Sequence, residues 1–294
     1  MVPAPVEVVP LVPAPAATVL MLRDGAAGLE VFMQRRHDTL SSFAGAYVFP
    51  GGKVDTDDAL YHDGMHLEQG PAQLQQALNE PELDAPSAVG LYVAAIRETF
   101  EECGVLLAHR RGIDNEEEAV VDATARGLPF AQVLRDLGLT LSTSRLLPWS
   151  RWITPVASFN TTRRFDTRFF VIAAPSYQEA LHDDVEASHS VWVTPAAALG
   201  QYWHGEIALM PPQIMSLAHL ARYGDVASVL AAARGRAPYV VRPMPFQDGE
   251  QRAIAYPGDD RHVERTRVMP GPTRLVQRNG RLEPAGGLAA LLSD

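Results

Sequence analysis

The chain has 294 residues, 47% of them hydrophobic, enough to bury a large core in one or two domains. A formal net charge of −10 disfavours nucleic acid and anionic membrane as partners, so an anionic ligand must be captured by a local basic site and a metal ion. The single cysteine, Cys103, excludes an intramolecular disulfide and a multi-cysteine zinc site, and fits a reducing compartment.

Residues 1–15 form a Pro-rich N-terminal segment that lacks a basic n-region, unlike a signal peptide. No apolar run approaches the eighteen residues or so of a membrane span, and the final Leu291-Leu292-Ser293-Asp294 does not match a peroxisomal address, so the expected location is cytoplasmic. Residues 16–23 and 29–36 read as two strands joined by a turn at Asp24–Gly28, and residues 45–49 as a third. Residues 55–87 are rich in Asp, Glu, Gln and Pro, with a short helix over 72–78; this is a polar surface insertion, either a lid or a loop excursion. A helix follows, ended by Gly104, and residues 105–108 then read as a strand. Helices are expected over 116–126 and 130–137, and strands over 146–154, 167–173 and 190–193, with Pro195 opening another helix. Helices over 211–223 and 225–233 and a tail of strands and loops from Pro238 complete the chain. The tail holds Arg261, Arg265, Arg267, Arg274, Arg278 and Arg281, read as a surface or oligomer contact, such as a homodimer, ahead of phosphate binding.

The segment Arg97-Glu98-Thr99-Phe100-Glu101-Glu102-Cys103-Gly104-Val105 carries the chemistry. On a helix, Val89, Val93, Ile96, Phe100 and Cys103 share an apolar sector, whereas Glu98, Glu101 and Glu102 cluster on the far side. Three carboxylates this close repel one another, and a divalent cation removes that cost. Oxygen ligands on a helix that leave room for water and phosphate suit Mg²⁺ or Mn²⁺.

Phe49-Pro50-Gly51-Gly52-Lys53-Val54-Asp55 upstream, with the Arg-Glu-x-x-x-Glu-Glu-x-Gly-hydrophobic segment, resembles the Nudix box of hydrolases that cleave a nucleoside diphosphate linked to another moiety. The second half of that box is present, with Thr99 where an aliphatic residue is commoner. The first half departs from it: forty-four residues separate Gly52 from Arg97, where the short form has thirteen, and Val89 stands where the box has its first Glu. That acid is absent, or replaced by one such as Asp57 or Asp58. The insertion, with Gln34-Arg35-Arg36, Ser42–Gly52, Arg163–Phe170 and Val191–Pro195, is similar to the long-insertion coenzyme A diphosphatase branch of the family.

The resemblance implies a Nudix α/β/α sandwich with a mixed sheet over 16–204, the insertion inside the box, and a helical and loop C-terminal extension over 205–294 packed on the domain. It implies a pyrophosphohydrolase whose metal ligands are Glu98, Glu101, Glu102 and the backbone carbonyl of Gly52, with Arg97 orienting a glutamate. For the general base, Glu101 comes first and Glu186 second, ahead of Asp183 and Asp184. Substrate phosphates would meet Arg35 or Arg36, then Arg163, Arg164 and Arg168. Strand alternation puts Arg35 and Arg36 on opposite faces, so at most one enters the site from regular strand geometry, and Arg36 is preferred. The favoured substrate is coenzyme A or an acyl derivative, with nucleotide sugars, dinucleotides or ADP-ribose as the enzymatic alternative and a non-catalytic ligand sensor as the rival.

Overall fold

The structure, a computed structural model, describes residues 12–37, 44–64, 66–110, 129–156, 163–182 and 187–293. Strands β1 (Ala14–Gly25) and β2 (Gly28–Arg36) form a hairpin whose turn ends at Gly28, with φ 106°, a conformation glycine adopts freely. Strands β3 (Ala46–Val48) and β4 (Gly51–Lys53) flank a sharp loop at Phe49-Pro50. A short 3-10 helix (Thr56–Asp63) and helices α1 (Pro71–Leu78) and α2 (Ala85–Cys103) follow. The Asp84 side chain caps α2 by accepting from Ser87 N, and Gly104 ends it in the left-handed conformation.

Strand β5 (Ala108–Arg110), helix α3 (Phe130–Leu137) and β6 (Leu139–Leu141) precede the long strands β7 (Leu147–Ile153), β8 (Phe165–Ala173) and β9 (Ala187–Val193). Next come α4 (Pro195–His204), β10 (Ala208–Leu209), α5 (Pro211–Leu220), α6 (Val226–Arg234) and β11 (Tyr239–Val241). The chain closes with β12 (Met244–Asp248), β13 (Gln251–Ala255), β14 (Arg274–Arg278), β15 (Arg281–Glu283) and α7 (Gly287–Leu292).

Among the described residues the main sheet has nine strands, ordered β10-β3-β2-β1-β8-β7-β11, with β4 added to β1 and β9 to β2. It is mixed: β1 runs parallel to β8 and antiparallel to β2 and β4. On one face, Ala17, Val19, Met21 and Phe32 meet the apolar stripe of α2 and the α3 residues Val133 and Leu134. On the other, Leu20, Leu22, Val31 and Met33 meet Leu199, Ile214, Leu217 and Val229 from α4, α5 and α6. Two apolar faces of one sheet, each covered by helices, make an α/β/α sandwich. The four-stranded antiparallel sheet β12-β13-β14-β15 is tied to α4 through Tyr202, whose hydroxyl donates to Leu282 O at 3.0 Å and accepts from Leu282 N at 2.8 Å. No helix among the described residues is long and apolar enough to cross a membrane.

Several expectations need correction. Residues 105–107 are buried but not in a strand, which begins only at Ala108. The helix expected over 116–126 lies outside the described residues, and α7 was not anticipated. The insertion lies over the surface, as expected, but anchors itself in the core through a few side chains. Leu74 and Leu78 of α1 are buried, and a Cβ added at Gly90 of α2 would lie 3.5 Å from Ala59 N, so the 3-10 helix packs closely on α2.

Directly after α1, Glu80 completes a buried charge network with two strands. Arg168 donates Nε to Glu80 Oε1 at 3.0 Å and Nη2 to Glu80 Oε2 at 2.5 Å, while Arg151 reaches Glu80 Oε2 at 2.7 Å and pairs Asp166 through two bonds of 2.8 and 2.6 Å. Arg168, expected among the substrate cations, is buried in this network. Removing one partner leaves buried charges unmatched, so Glu80→Ala should lower stability by about 3 kcal/mol in a urea titration. A change below experimental error would show that the network does not anchor the insertion.

His219 of α5 stacks on Trp149 with ring centroids 4.4 Å apart. Burial, followed by the charges of Arg236 and Arg222, lowers its pKa from 6.5 to about 3. The unfolded chain then takes up a proton that the folded one refuses, so this contribution to stability is present above pH 6.5 and is lost as pH falls towards 3. His219→Phe should lose less stability than the parent over that window, measured by thermal unfolding at stepped pH. An unchanged pH slope would rule this out.

Candidate metal and catalytic site

The last turns of α2 face the Gly51-Gly52 strand across a narrow gap. Glu102, expected on the outward face, is buried: its Oε2 accepts from Gln34 Nε2 at 2.6 Å and from Gly51 N at 2.9 Å. Gly51 has φ 149°, and a Cβ there would run into the β1 backbone at Ala17 and Thr18, so glycine is required for the loop to enter the sheet. A Cβ on Gly52 would collide with the Glu98 carboxylate, so the absence of a side chain brings that acid against the loop backbone.

Arg97 is the hub. Its Nε and Nη2 form a fork on Asp58 at 3.0 Å each, Nη1 donates to Glu98 Oε1 and to Glu101 Oε2 at 2.9 Å each, and Nη2 also donates to Lys53 O at 3.0 Å. Burial opposes the guanidinium charge, but the bonds and charges of Asp58, Glu98 and Glu101 outweigh it and hold its pKa above the ordinary arginine value. A guanidinium fork matched to carboxylates places both glutamates within a fixed radius of one nitrogen. Asp58 is 2% exposed, whereas Asp57 is exposed, so Asp58 is the insertion acid that meets Arg97. Thr99 fits a position where an aliphatic residue is usual because its hydroxyl donates to Ala95 O at 2.7 Å inside the helix.

The acids differ in access to water: the Glu98 side chain is 16% exposed and the Glu101 side chain 46%, while Glu102 as a residue is 5% exposed. Among the described residues no three His, Cys, Asp or Glu side chains gather closely enough to cage an ion alone. The donor set fits instead a hard cation that takes a few carboxylate oxygens and a loop carbonyl and completes its shell with water and substrate oxygens. Gly52, which any side chain would push off Glu98, is the loop residue that lies against that carboxylate.

The other expected residues are placed less directly. Arg35 Nη1 donates to Ser188 Oγ at 3.2 Å. The pairing of β2 with β9 shifts register between Arg35 and Arg36, so the alternation that put the two on opposite faces does not hold at this bulge. Arg164 donates Nε to Thr154 O at 3.0 Å, while Arg163 lies at a cavity on the opposite face of the sheet. Glu186, Asp183 and Asp184 lie outside the described residues. The tail arginines serve their own sheet: Arg274 forks onto Asp259 at 2.9 and 2.7 Å, and Arg281 pairs with Glu283 at 2.9 Å. Gln34 was missed as a positioning residue, although it is the lone polar side chain at the end of the apolar run Leu29–Met33 apart from Glu30.

Gly52→Ala should displace the Glu98 carboxylate and weaken Mn²⁺ binding about tenfold or more while leaving the circular dichroism spectrum unchanged. Equal Mn²⁺ affinity in a calorimetric titration would mean that the loop and Glu98 do not share an ion.

Comparison with known proteins places this geometry. Residues 11–220 match the family described as the NUDT19 Nudix domain. The chain is 28% identical over 232 residues to the acyl-coenzyme A diphosphatase NUDT19 of Xenopus laevis, an alignment that covers 67% of this chain but only 61% of that protein. It is 26% identical over 280 residues to the human protein of the same name, covering 81% and 74% of the two chains. A Nudix hydrolase crystal structure from Alicyclobacillus acidocaldarius superposes with a TM-score of 0.57 at 26% identity, covering 77% of this chain and 97% of that one. With the glycine strand, the glutamate helix and the arginine hub in place, and a match over more than half its length, the chain belongs to the Nudix superfamily, in the NUDT19 Nudix domain family.

Proposed function

We propose that this protein is a divalent-metal-dependent pyrophosphohydrolase that cleaves coenzyme A or acyl-coenzyme A into 3′,5′-adenosine bisphosphate and the corresponding 4′-phosphopantetheine. The observation that carries the reading is the clamp of Arg97 on Glu98 and Glu101 beside Gly52, whose lack of a side chain lets the Glu98 carboxylate lie against the loop. The names of the Xenopus and human relatives support the substrate.

Nudix hydrolases work with divalent metals, and carboxylate and carbonyl donors point to Mg²⁺ or Mn²⁺ for this chain. Glu98, Glu101, Glu102 and the carbonyl of Gly52 would hold the ion, which when bound supplies charge neutralisation on the diphosphate and activation of the attacking water. Glu102, buried and fixed by Gln34 and Gly51 N, has the least freedom and serves as the rigid anchor. Arg97 keeps Glu98 and Glu101 oriented without reaching substrate, because its fork is fully occupied by carboxylates and Lys53 O. Glu101, the most water-accessible of the three, accepts the proton of the attacking water. Arg35 and Arg36 remain the cations offered to the substrate phosphates. The chemistry belongs to the cytoplasm, in keeping with one buried thiol at Cys103, and the net charge of −10 argues against a nucleic-acid substrate.

A hydrolysis screen with Mg²⁺ or Mn²⁺ across coenzyme A, acyl-coenzyme A, NADH, ADP-ribose and diadenosine polyphosphates, with products identified by mass, tests the reading. Coenzyme A esters should be cut fastest, chelation should abolish turnover, and Glu102→Gln should lose on the order of a hundredfold or more in kcat while keeping its fold. Preference for ADP-ribose or a nucleotide sugar would move the substrate to the alternative. No metal-dependent turnover at all would leave a ligand sensor.

A further inference from the structure

On the sheet face away from α2 lies a cavity of about 750 Å³. Its floor is the sheet, through Thr18, Thr167, Phe169 and Trp152, and its far wall is the C-terminal chain, through Pro243, Ile254, Asn279 and Leu282. That wall falls after residue 220, where the family match ends, so this chain supplies it beyond the matched domain. The cavity adjoins the metal loop. Thr18 is the register partner of Gly51, whose amide holds Glu102, and Val48 precedes the Phe49-Pro50 turn.

Two features indicate its occupant. Gln213, in the first turn of α5, is 9% exposed and lines the cavity, and its Oε1 has no hydrogen-bond partner among the described residues. A buried amide oxygen without a partner is costly, so it marks the place where a ligand brings its own donor. Of the cations, Arg163 and Arg252 are exposed at the rim, while Arg281 is partly buried in the lining, paired with Glu283 through Nη2 and laid over the Trp203 ring, its buried Nε without a hydrogen-bond partner among the described residues. A mostly apolar interior whose unmet polar atoms are one amide oxygen and one N–H of an arginine already neutralised by Glu283 suits an uncharged, amide-bearing arm, which offers both a donor and an acceptor, rather than a nucleotide bisphosphate.

We propose that this cavity binds the acyl-pantetheine arm of the substrate, with Gln213 bonding an arm amide and the C-terminal sheet setting substrate preference. The proposal rests on the coenzyme A reading given above.

The test is calorimetric titration of the full-length protein with 4′-phosphopantetheine and, separately, with 3′,5′-adenosine bisphosphate, together with steady-state kinetics on octanoyl-coenzyme A. Gln213→Leu removes the amide at nearly constant volume, and Thr167→Phe fills the space from the sheet side. In both variants 4′-phosphopantetheine should bind about tenfold more weakly, the size of one hydrogen bond to an uncharged partner, while the nucleotide binds as before. KM for octanoyl-coenzyme A should rise with kcat retained. Loss of nucleotide binding instead, or unchanged binding of both halves in either folded variant, overturns the proposal. If the parent cleaves no coenzyme A ester, the functional reading fails by itself, and binding of 4′-phosphopantetheine still decides the cavity: wild-type binding lost in Gln213→Leu supports it, and no wild-type binding ends it.

Discussion

The site depends on one side chain being overcommitted. Arg97 bonds three carboxylates and a backbone carbonyl at once, which no neutral residue could do and which a lysine, with a point charge and no fork, would do poorly. Three glutamates within five residues of one helix would otherwise repel each other at a helix C-terminus, where the dipole already disfavours negative charge. The arginine offsets that repulsion inside the fold, so the helix is stable before any ion arrives. The geometry an ion needs is then set by the protein rather than assembled around the ion.

That commitment extends into the insertion. Asp58 on the 3-10 helix is the partner that takes both sides of the Arg97 fork, and Glu80 after α1 ties the far end of the same insertion to β7 and β8. Between these two charged anchors, Leu74 and Leu78 are buried and the 3-10 helix packs against Gly90. The segment is therefore part of the architecture that orients the acids, which explains why a box whose glycine and arginine stand forty-four residues apart can still assemble.

The glutamate helix, its glycine stop, the hairpin and the α/β/α layering were all legible, because periodicity, turn residues and caps act over a few residues and leave a local mark in sequence. Thr194 accepting from Ala197 N ahead of Pro195 is such a mark, as is Asp225 accepting from Ser228 N. What was not legible depends on long-range partners. Glu102 lies on the charged side of the wheel yet is buried, because Gln34, sixty-eight positions away, and the Gly51 amide come to meet it. Arg168 looked like a phosphate cation until Glu80 appeared opposite it, and Arg35 and Arg36 could not be assigned faces because a strand bulge leaves no compositional trace. The choice between Asp57 and Asp58 likewise turned on which side of a single 3-10 turn faces α2.

The fork between Asp58 and Arg97 also constrains how this chain can change. An acid carried by the inserted segment, rather than by the helix where Val89 stands, couples the length of that segment to the charge balance of the glutamates. A descendant that trimmed the segment would remove the arginine's principal counter-ion in the same event, and would survive only if another acid took over the fork. Length and charge at this place should therefore be inherited as one trait.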